Sequence, residues 1–150
     1  MKKYEFTGEV KLHLGRTLHR IRACVSFGIV SKGDEGGWIE KEENLSHNGD
    51  AWVDGNACVY GNACVDGNNR LLTVGAIGSR EDTTTFCYAK GGVIQVSCGC
   101  FRGTIEAFAE KVKETHGDNK YAKQYALAIE LAKLTICTDK IDGEDEEDAK

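Results

Sequence analysis

Apolar and polar side chains alternate along the start of the chain with a period of two, which is the pattern of half-buried β-strands. The alternation covers residues 4–14 and returns over residues 21–27. The stretch SKGDEGG, residues 31–37, then predicts a turn because it is rich in Gly and Asp. We therefore expect an N-terminal β-layer over residues 1–36.

The period changes from two to six over residues 37–68. The stretch GDAWVDGNACVYGNACVDGN repeats Ala, a spacer and Val three times, and each copy ends in Gly with an acid or amide. Such a period is typical of a left-handed-type parallel β-helix, in which Ala and Val point inward and Gly and Asn turn the corners. One coil takes about eighteen residues, so Ile39 is expected beneath Ala57 and Leu45 beneath Ala63. The segment is shorter than two coils and must pack against other parts of the chain.

Strand and then helix patterns follow over residues 69–137. Strands are predicted at residues 71–77, 83–89 and 93–101, the last two forming a β-hairpin. Beyond residue 103 the period becomes helical, with Thr104 and Asp118 predicted to cap two helices that end near Gly117 and Leu134. The sequence thus predicts an α+β fold: N-terminal strands, a short parallel β-helix, and a β-hairpin packed with two antiparallel helices.

Charge is distributed unevenly around the formal net charge of -5. Residues 138–150 hold seven acids and two lysines, and this tail is expected to be disordered because it has little to bury. Residues 1–32 are basic and residues 33–56 are acidic, an asymmetry that can orient a partner. It is not a continuous basic footprint, so direct binding of nucleic acid is not expected.

The sequence also bears on where the protein works. It has no apolar run of the roughly 20 residues that cross a bilayer, and its start lacks the apolar core of a signal peptide. Its seven cysteines are expected to be free thiols, as in a reducing cytosol. We therefore expect a cytoplasmic protein that does not interact with membranes.

Several stretches together resemble a known group of proteins. They are KYEFTGE, GGWIEKEENLSHNGDAWV, the G-N-A-x-V-x repeats, CGCFRGTIEAF and KETHGDNKYAK. Over residues 3 to about 135 the chain resembles hexapeptide-repeat proteins of phages and prophages of Gram-positive bacteria. The resemblance brings no activity with it.

The resemblance implies a phage-encoded accessory protein that acts in the cytoplasm of a bacterial host. The favoured hypothesis is a non-enzymatic binder that blocks a host protein and antagonises antiviral defence, as anti-CRISPR proteins do. The alternatives are a sponge for a signalling nucleotide of host immunity, and a component of the virion or its assembly.

Enzymatic activity is not expected. Hexapeptide acyltransferases resemble one another in having several complete coils and a histidine base between neighbouring prisms. Here the one histidine near the repeat, His47, lies in the irregular turn NLSHNGD and is expected to be a solvated loop residue. The sequence has no pattern of a nucleophile with its base and orienting acid, and it predicts no cofactor.

The repeat suggests a partner surface. Aromatic side chains on an outer face are common interface anchors, although packing under a neighbouring loop explains them equally well. The predicted contact residues are Trp38, Glu40, Glu42, Glu43, Trp52 and Tyr60. Open coil ends expose backbone N–H and C=O groups, which predicts a homo-oligomer, most simply a two-fold dimer.

Two further groups of residues suggest ligand sites. Ser79, Arg80, Thr84 and Lys120 offer donors for a phosphate or carboxylate, although no Walker or Rossmann glycine pattern accompanies them. Cys98 and Cys100 lie two residues apart, on one face of a predicted strand. With Cys87 and His116 they could hold zinc, whereas the alternative is that these thiols are simply buried.

Overall fold

In the computed structural model, residues 2–99 and 101–140 are described. The chain divides into two compact units, Met1–Asn68 and Asn69–Lys150. Each unit is built around one four-stranded sheet, and the second unit also contains two α-helices. None of the helices in the described ranges is long and apolar enough to cross a membrane.

The first unit contains a sheet in the order β1-β2-β3-β4. The strands are β1 Tyr4–His13, β2 Arg16–Ala23, β3 Glu35–Ile39 and β4 Cys58–Val59. The first three strands form an antiparallel meander, and only β4 joins in parallel. The run predicted over residues 4–14 corresponds to β1, although Val10 and Leu12 are exposed. The run predicted over residues 21–27 overlaps β2 only at residues 21–23, and β3 begins at Glu35, inside the predicted turn of residues 31–37.

The prediction of a parallel β-helix over residues 37–68 is wrong. Parallel pairing is limited to Trp38 with Cys58, Ile39 with Val59, and one bridge between Leu45 and Val65. These pairs lie twenty residues apart in the sequence rather than one eighteen-residue coil. The physical reason is that β3 pairs with β2 along its other edge. This pairing draws the start of the repeat into an antiparallel sheet.

The six-residue period identifies buried positions of the chain rather than the coils of a β-helix. Each of its Ala and Val side chains is at most 1 % exposed, and they are Ala51, Val53, Ala57, Val59, Ala63 and Val65. Tyr4, Leu18 and Ile21 of the N-terminal strands are also fully buried. The repeat thus supplies part of the apolar core of the first unit, while its Gly-containing turns lie between these buried positions.

Buried side chains add to the backbone hydrogen bonds that join the turns of the repeat. Asn44 is fully buried, and its Nδ2 donates to the carbonyl oxygens of Gly61 and Ala63 at 3.0 Å each. Its Oδ1 accepts a hydrogen bond from the N–H of Lys41 at 3.0 Å. One amide group therefore satisfies three backbone groups of two separate turns.

Two residues at the start of the chain add two more side-chain bonds of this kind. Lys3 Nζ donates to the carbonyl oxygen of Ala51 at 2.6 Å. The Tyr4 hydroxyl donates to the carbonyl oxygen of Leu45, also at 2.6 Å. Both bonds join residues more than forty positions apart, and they fix the repeat against β1.

The second unit is an antiparallel sheet in the order β5-β6-β7-β8, followed by two helices. Its strands are β5 Leu71–Ile77, β6 Asp82–Ala89, β7 Val93–Cys98 and β8 Phe101–Thr104. The helices are α1 Ile105–His116 and α2 Lys120–Thr135. The strand predicted over residues 93–101 is thus two paired strands, and the turn between them includes Gly99 at φ +53°.

Helix capping agrees with the sequence at α1 and differs at α2. Thr104 Oγ1 accepts a hydrogen bond from the N–H of Ala107 at 3.1 Å, as predicted. At α2 the cap is Asn119 rather than Asp118, because Asn119 Oδ1 accepts from the N–H groups of Tyr121 and Ala122. The helix therefore begins one residue later than expected.

Most of the predicted acidic tail falls in residues 141–150, outside the described residues. The part that the structure does describe, 138–140, follows α2 without regular secondary structure. Arg70 Nη1 donates to the carbonyl oxygens of Cys137 at 2.8 Å and Asp139 at 2.6 Å. The segment that follows α2 is therefore held against the start of β5.

Candidate functional site

Each unit contains a concave surface that brings together residues of interest from the sequence. The first unit has an open groove of about 710 Å³, which we call the acidic groove. It is lined by Gly28, Ile29, Val30, Asp34, Glu35, Asp50, Trp52, Asp54 and Asn68. Within the described part of the chain, the lining thus holds four carboxylates and no Lys, Arg or His.

A short loop positions the apolar side of the acidic groove. Phe27 and Val30 exchange backbone hydrogen bonds at 2.9 and 2.8 Å, which leaves Ile29 fully exposed at the loop tip. Trp52 is half-buried and meets the Phe27 ring edge-on, with ring centroids 5.5 Å apart. A Cβ on Gly36 would lie 2.6 Å from Trp52 Cζ2, so the indole depends on glycine at that position.

The carboxylates of the acidic groove are exposed and come from different segments. Asp34 Oδ2 accepts from the N–H of Ser31 at 2.9 Å, and Glu35 lies 3.8 Å from Arg20. Burial lowers the pKa of Lys3 although the charge of Asp50 opposes the shift. Four carboxylates beside an indole can accept hydrogen bonds from a lysine or arginine and offer its cation an aromatic face.

The predicted partner residues do not form one exposed surface. Trp38 and Tyr60 are only 8 % and 5 % exposed, and they pack with Leu18 and Cys58 in a small core cluster. Lys11 Nζ lies 4.6 Å above the Trp38 ring. These two aromatic side chains therefore pack under neighbouring groups, which was the alternative to an interface role that the sequence left open.

The three predicted glutamates differ in their surroundings. Arg16 Nη1 donates to both carboxylate oxygens of Glu40 at 2.8 and 2.9 Å, and the N–H of Gly61 donates to Oε1 at 2.8 Å. Burial works to raise the pKa of Glu40, but these hydrogen bonds outweigh it and leave the pKa below its ordinary value. The hydrogen bond to His47 lowers the pKa of Glu42, and Glu43 is exposed.

His47 is more than a solvated loop residue. Its ring stacks on Tyr4 with centroids 4.1 Å apart, and its Nδ1 accepts from the N–H of Lys3 at 3.0 Å. Its Nε2 lies 2.9 Å from Glu42 Oε1. The histidine is therefore a structural link between β1 and the segment before the repeat.

Only Trp52 among the predicted partner residues lines the acidic groove. The sequence predicts an acidic contact at residues 40–43, whereas the carboxylates of the groove belong to Asp34, Glu35, Asp50 and Asp54. The excess of acids over residues 33–56 was the available signal. It did not show which carboxylates the fold would bring beside Trp52.

The second unit contains a smaller pocket of about 340 Å³, which we call the cationic pocket. It lies between the turns of the sheet and the two helices. Its lining consists of Ser79, Arg80, Asp82, Cys98, Gly99, Phe101, Phe108, Lys111, Val112, Thr115, His116 and Tyr125. Polar and charged groups thus share one pocket with two phenylalanine rings.

The structure brings two of the four predicted ligand residues into the cationic pocket. Ser79 and Arg80 line it and are exposed. Thr84 is fully buried, and its hydroxyl donates to Cys98 Sγ at 3.2 Å. Lys120 does not line the pocket, because its Nζ lies over the Tyr121 ring, 5.2 Å from the centroid.

Tyr125 lines the cationic pocket and is largely buried. Cys98 Sγ donates to its hydroxyl at 3.7 Å. Burial raises the pKa of Tyr125, and Cys98 and Asp82 add to the shift while Arg80 opposes it. A Cβ on Gly78 would lie 1.8 Å from the Tyr125 hydroxyl oxygen, so only glycine fits there. The hydroxyl is therefore held by its surroundings and lies within the electrostatic influence of both charged residues.

The predicted zinc ligands do not form a metal site in the part of the chain that the structure describes. No group of three His, Cys, Asp or Glu side chains there could hold a metal ion. Cys87 is buried at 2 % exposure, and Cys98 is engaged with Thr84 and Tyr125. Cys100 lies outside the described residues. His116 stacks on Tyr125 with ring centroids 5.9 Å apart.

Comparison with known proteins gives no independent identification. No family model matches the chain, and neither a curated protein nor a solved structure does. The resemblance to phage hexapeptide-repeat proteins therefore stays a prediction. The geometry of the acidic groove and of the cationic pocket carries the functional argument.

Proposed function

We propose that this chain is a non-enzymatic binding protein that blocks a host protein by holding a lysine- or arginine-bearing segment of it in the acidic groove. The observation that carries the proposal is the placement of four carboxylates around the half-buried indole of Trp52. The resemblance to phage-borne proteins supplies the host context, in which such a binder antagonises antiviral defence.

The charge of the groove supports a basic partner. Asp34, Glu35, Asp50 and Asp54 are all exposed. Carboxylates of one sign lining a concave surface raise the local concentration of cations and speed the association of a basic segment. Each can also form a charge-assisted hydrogen bond with a guanidinium or ammonium group, which fixes the register of the segment.

The apolar groups of the groove support a protein rather than a free cation. Ile29 is fully exposed at the loop tip, and Trp52 presents part of its ring beside it. Large apolar side chains exposed in this way are typical anchors of protein interfaces, with charged groups around them. A segment that alternates basic and apolar side chains matches both features.

Capture from a bacterial lysate tests this proposal. The full chain carrying Asp50→Asn and Asp54→Asn should lose the captured host protein, since both positions are exposed and the isosteric amides leave the fold intact. A matched control with Glu106→Gln and Glu114→Gln removes the same charge from exposed positions of α1 and should capture normally.

Trp52→Leu provides a second variant, which keeps an apolar side chain but removes the aromatic face. We expect weaker capture from this variant, with circular dichroism confirming the native fold. If capture persists in the Asp50/Asp54 variant and in Trp52→Leu alike, the acidic groove is not the docking surface.

A further inference from the structure

We infer that the cationic pocket of the second unit is a separate binding site for a small aromatic anion, a molecule with a planar apolar ring and a phosphate or carboxylate group. The inference does not depend on the acidic groove, which lies in the other unit. It rests on three features of the pocket, namely its cations, its aromatic wall and its ordered hydroxyl.

The cations of the pocket come from distant parts of the chain. Arg80 lies in the turn between β5 and β6, and Lys111 lies on α1. Both side chains are exposed at the pocket, and among the described residues Asp82 is the one acid in its lining. The two fixed positive charges outnumber the single carboxylate, which favours an anionic ligand. Ser79 and Thr115 add hydroxyl groups to the same lining.

The wall of the pocket is aromatic. Phe108 is buried, with its ring centroid 5.2 Å from that of Phe101 and 5.4 Å from that of Tyr125. Phe101 is only half-buried, so part of its ring faces the open pocket. Aromatic side chains arranged in this way accept a further ring by edge-to-face or offset packing.

A chain of hydrogen bonds ends at the pocket. The Thr84 hydroxyl donates to Cys98 Sγ, and Cys98 Sγ donates to the Tyr125 hydroxyl. A phenol hydroxyl can both donate and accept, so Tyr125 keeps hydrogen-bonding capacity for a ligand atom beyond its contact with Cys98. The phenol thus adds a polar group beside the aromatic wall.

The pocket volume sets the size of the ligand. About 340 Å³ is at the lower end of the range for small-molecule sites. One ring system with one anionic group matches this volume and the chemistry of the lining. Phosphate and carboxylate share that chemistry, so the experiment has to include both.

Titration of the full-length protein followed by NMR tests the inference, with phenyl phosphate and benzoate as the aromatic anions and inorganic phosphate and phenol as partial probes. We expect at least one aromatic anion to shift the amide signals of residues 79–82 and 111–116. It should bind about tenfold more tightly than either partial probe, because inorganic phosphate lacks the ring to bury and phenol lacks the anionic group.

Paired charge variants locate the site. Arg80→Gln and Lys111→Gln should each weaken the binding of the aromatic anion by about tenfold, the effect of losing one charge-assisted hydrogen bond. Arg102→Gln and Lys113→Gln are the matched controls, since these exposed residues lie on β8 and α1 without lining the pocket. Binding to the controls should equal binding to the unaltered protein.

A third variant fills the pocket without touching the cations. Thr115→Trp replaces an exposed residue of the lining and should abolish the signal shifts, whereas the neighbouring Glu114→Trp should not. The inference is overturned if neither aromatic anion shifts these signals at millimolar concentration. Equal binding of inorganic phosphate and phenyl phosphate, or binding that survives Arg80→Gln and Lys111→Gln, would overturn it as well.

Discussion

Asn44 joins two turns of the repeat through a single buried amide, and its replacement tests how the first unit is held together. Asn44→Leu should lower the free energy of unfolding by about 2–3 kcal/mol, because it leaves a buried carbonyl group at Ala63 and a part-buried one at Gly61 without their donor. Urea denaturation measures the change. Asn48→Leu at an exposed position is the control, and an equal loss in both variants would contradict the structural role of Asn44.

Two buried tyrosines, Tyr4 and Tyr125, make the stability of the fold depend on pH. Burial raises the pKa of Tyr4, and negative charge from Glu42 and Glu43 adds to the shift; burial is also the largest cause at Tyr125. A phenol whose pKa is higher in the folded chain keeps its proton longer there than in the unfolded chain. Its contribution to stability is therefore complete below pH about 10 and declines as the pH rises further.

Ultraviolet titration of the phenolate band measures this effect. Tyr125→Phe and Tyr4→Phe should each remove a component that ionises later than a free tyrosine. If the component lost in either variant titrates near the ordinary value of about 10, the burial argument fails for that residue.

Burial of individual residues could be predicted only in part. The Ala and Val positions of the repeat follow from their period, because small and β-branched side chains recur where the core needs them. Trp38 and Tyr60 could not be assigned, since cations from another strand cover them. The role of Asn44 could not be predicted, because the two carbonyl groups that accept its hydrogen bonds lie seventeen and nineteen residues away.

At the scale of elements, α2 offers a direct comparison of two neighbouring candidate caps. Asn119→Ala should lower the free energy of unfolding by about 1 kcal/mol, because its side chain satisfies two N–H groups of the first turn. Asp118→Ala should lower the free energy of unfolding by clearly less than this. Thermal denaturation of both variants measures the difference. A larger loss of stability in Asp118→Ala would show that Asp118 is the cap, as the sequence predicted.

Strands and helices of the second unit were predictable because their signals are local. Alternation, glycine turns and capping residues all lie inside the segments that they define, and the strand Leu71–Ile77 and the helix Ile105–His116 agree with them. The parallel β-helix failed because its evidence was also local whereas strand pairing is not. The six-residue period cannot show that β3 takes β2 as its antiparallel neighbour.

At the scale of the whole molecule, the two sites carry opposite charge and lie in different units. The sequence predicted Ser79 and Arg80 of the cationic pocket but not Lys111 or Thr115. The periodicity of α1 identifies only its apolar face, and it does not show which polar residues of the helix line a pocket.

The two-fold dimer stays a prediction. The open ends of β-helical coils, from which it was inferred, do not exist in the observed sheet. Light scattering measures the oligomeric state of the protein.

The central claim is that the acidic groove binds a basic segment, and the affinity of the captured host protein tests it most directly. Calorimetry with the purified partner should show binding at least about tenfold weaker for the Asp50→Asn, Asp54→Asn variant than for the unaltered chain. Raising the ionic strength should weaken the unaltered complex more than the variant complex. Equal affinity of the two chains, with equal dependence on salt, would contradict the account.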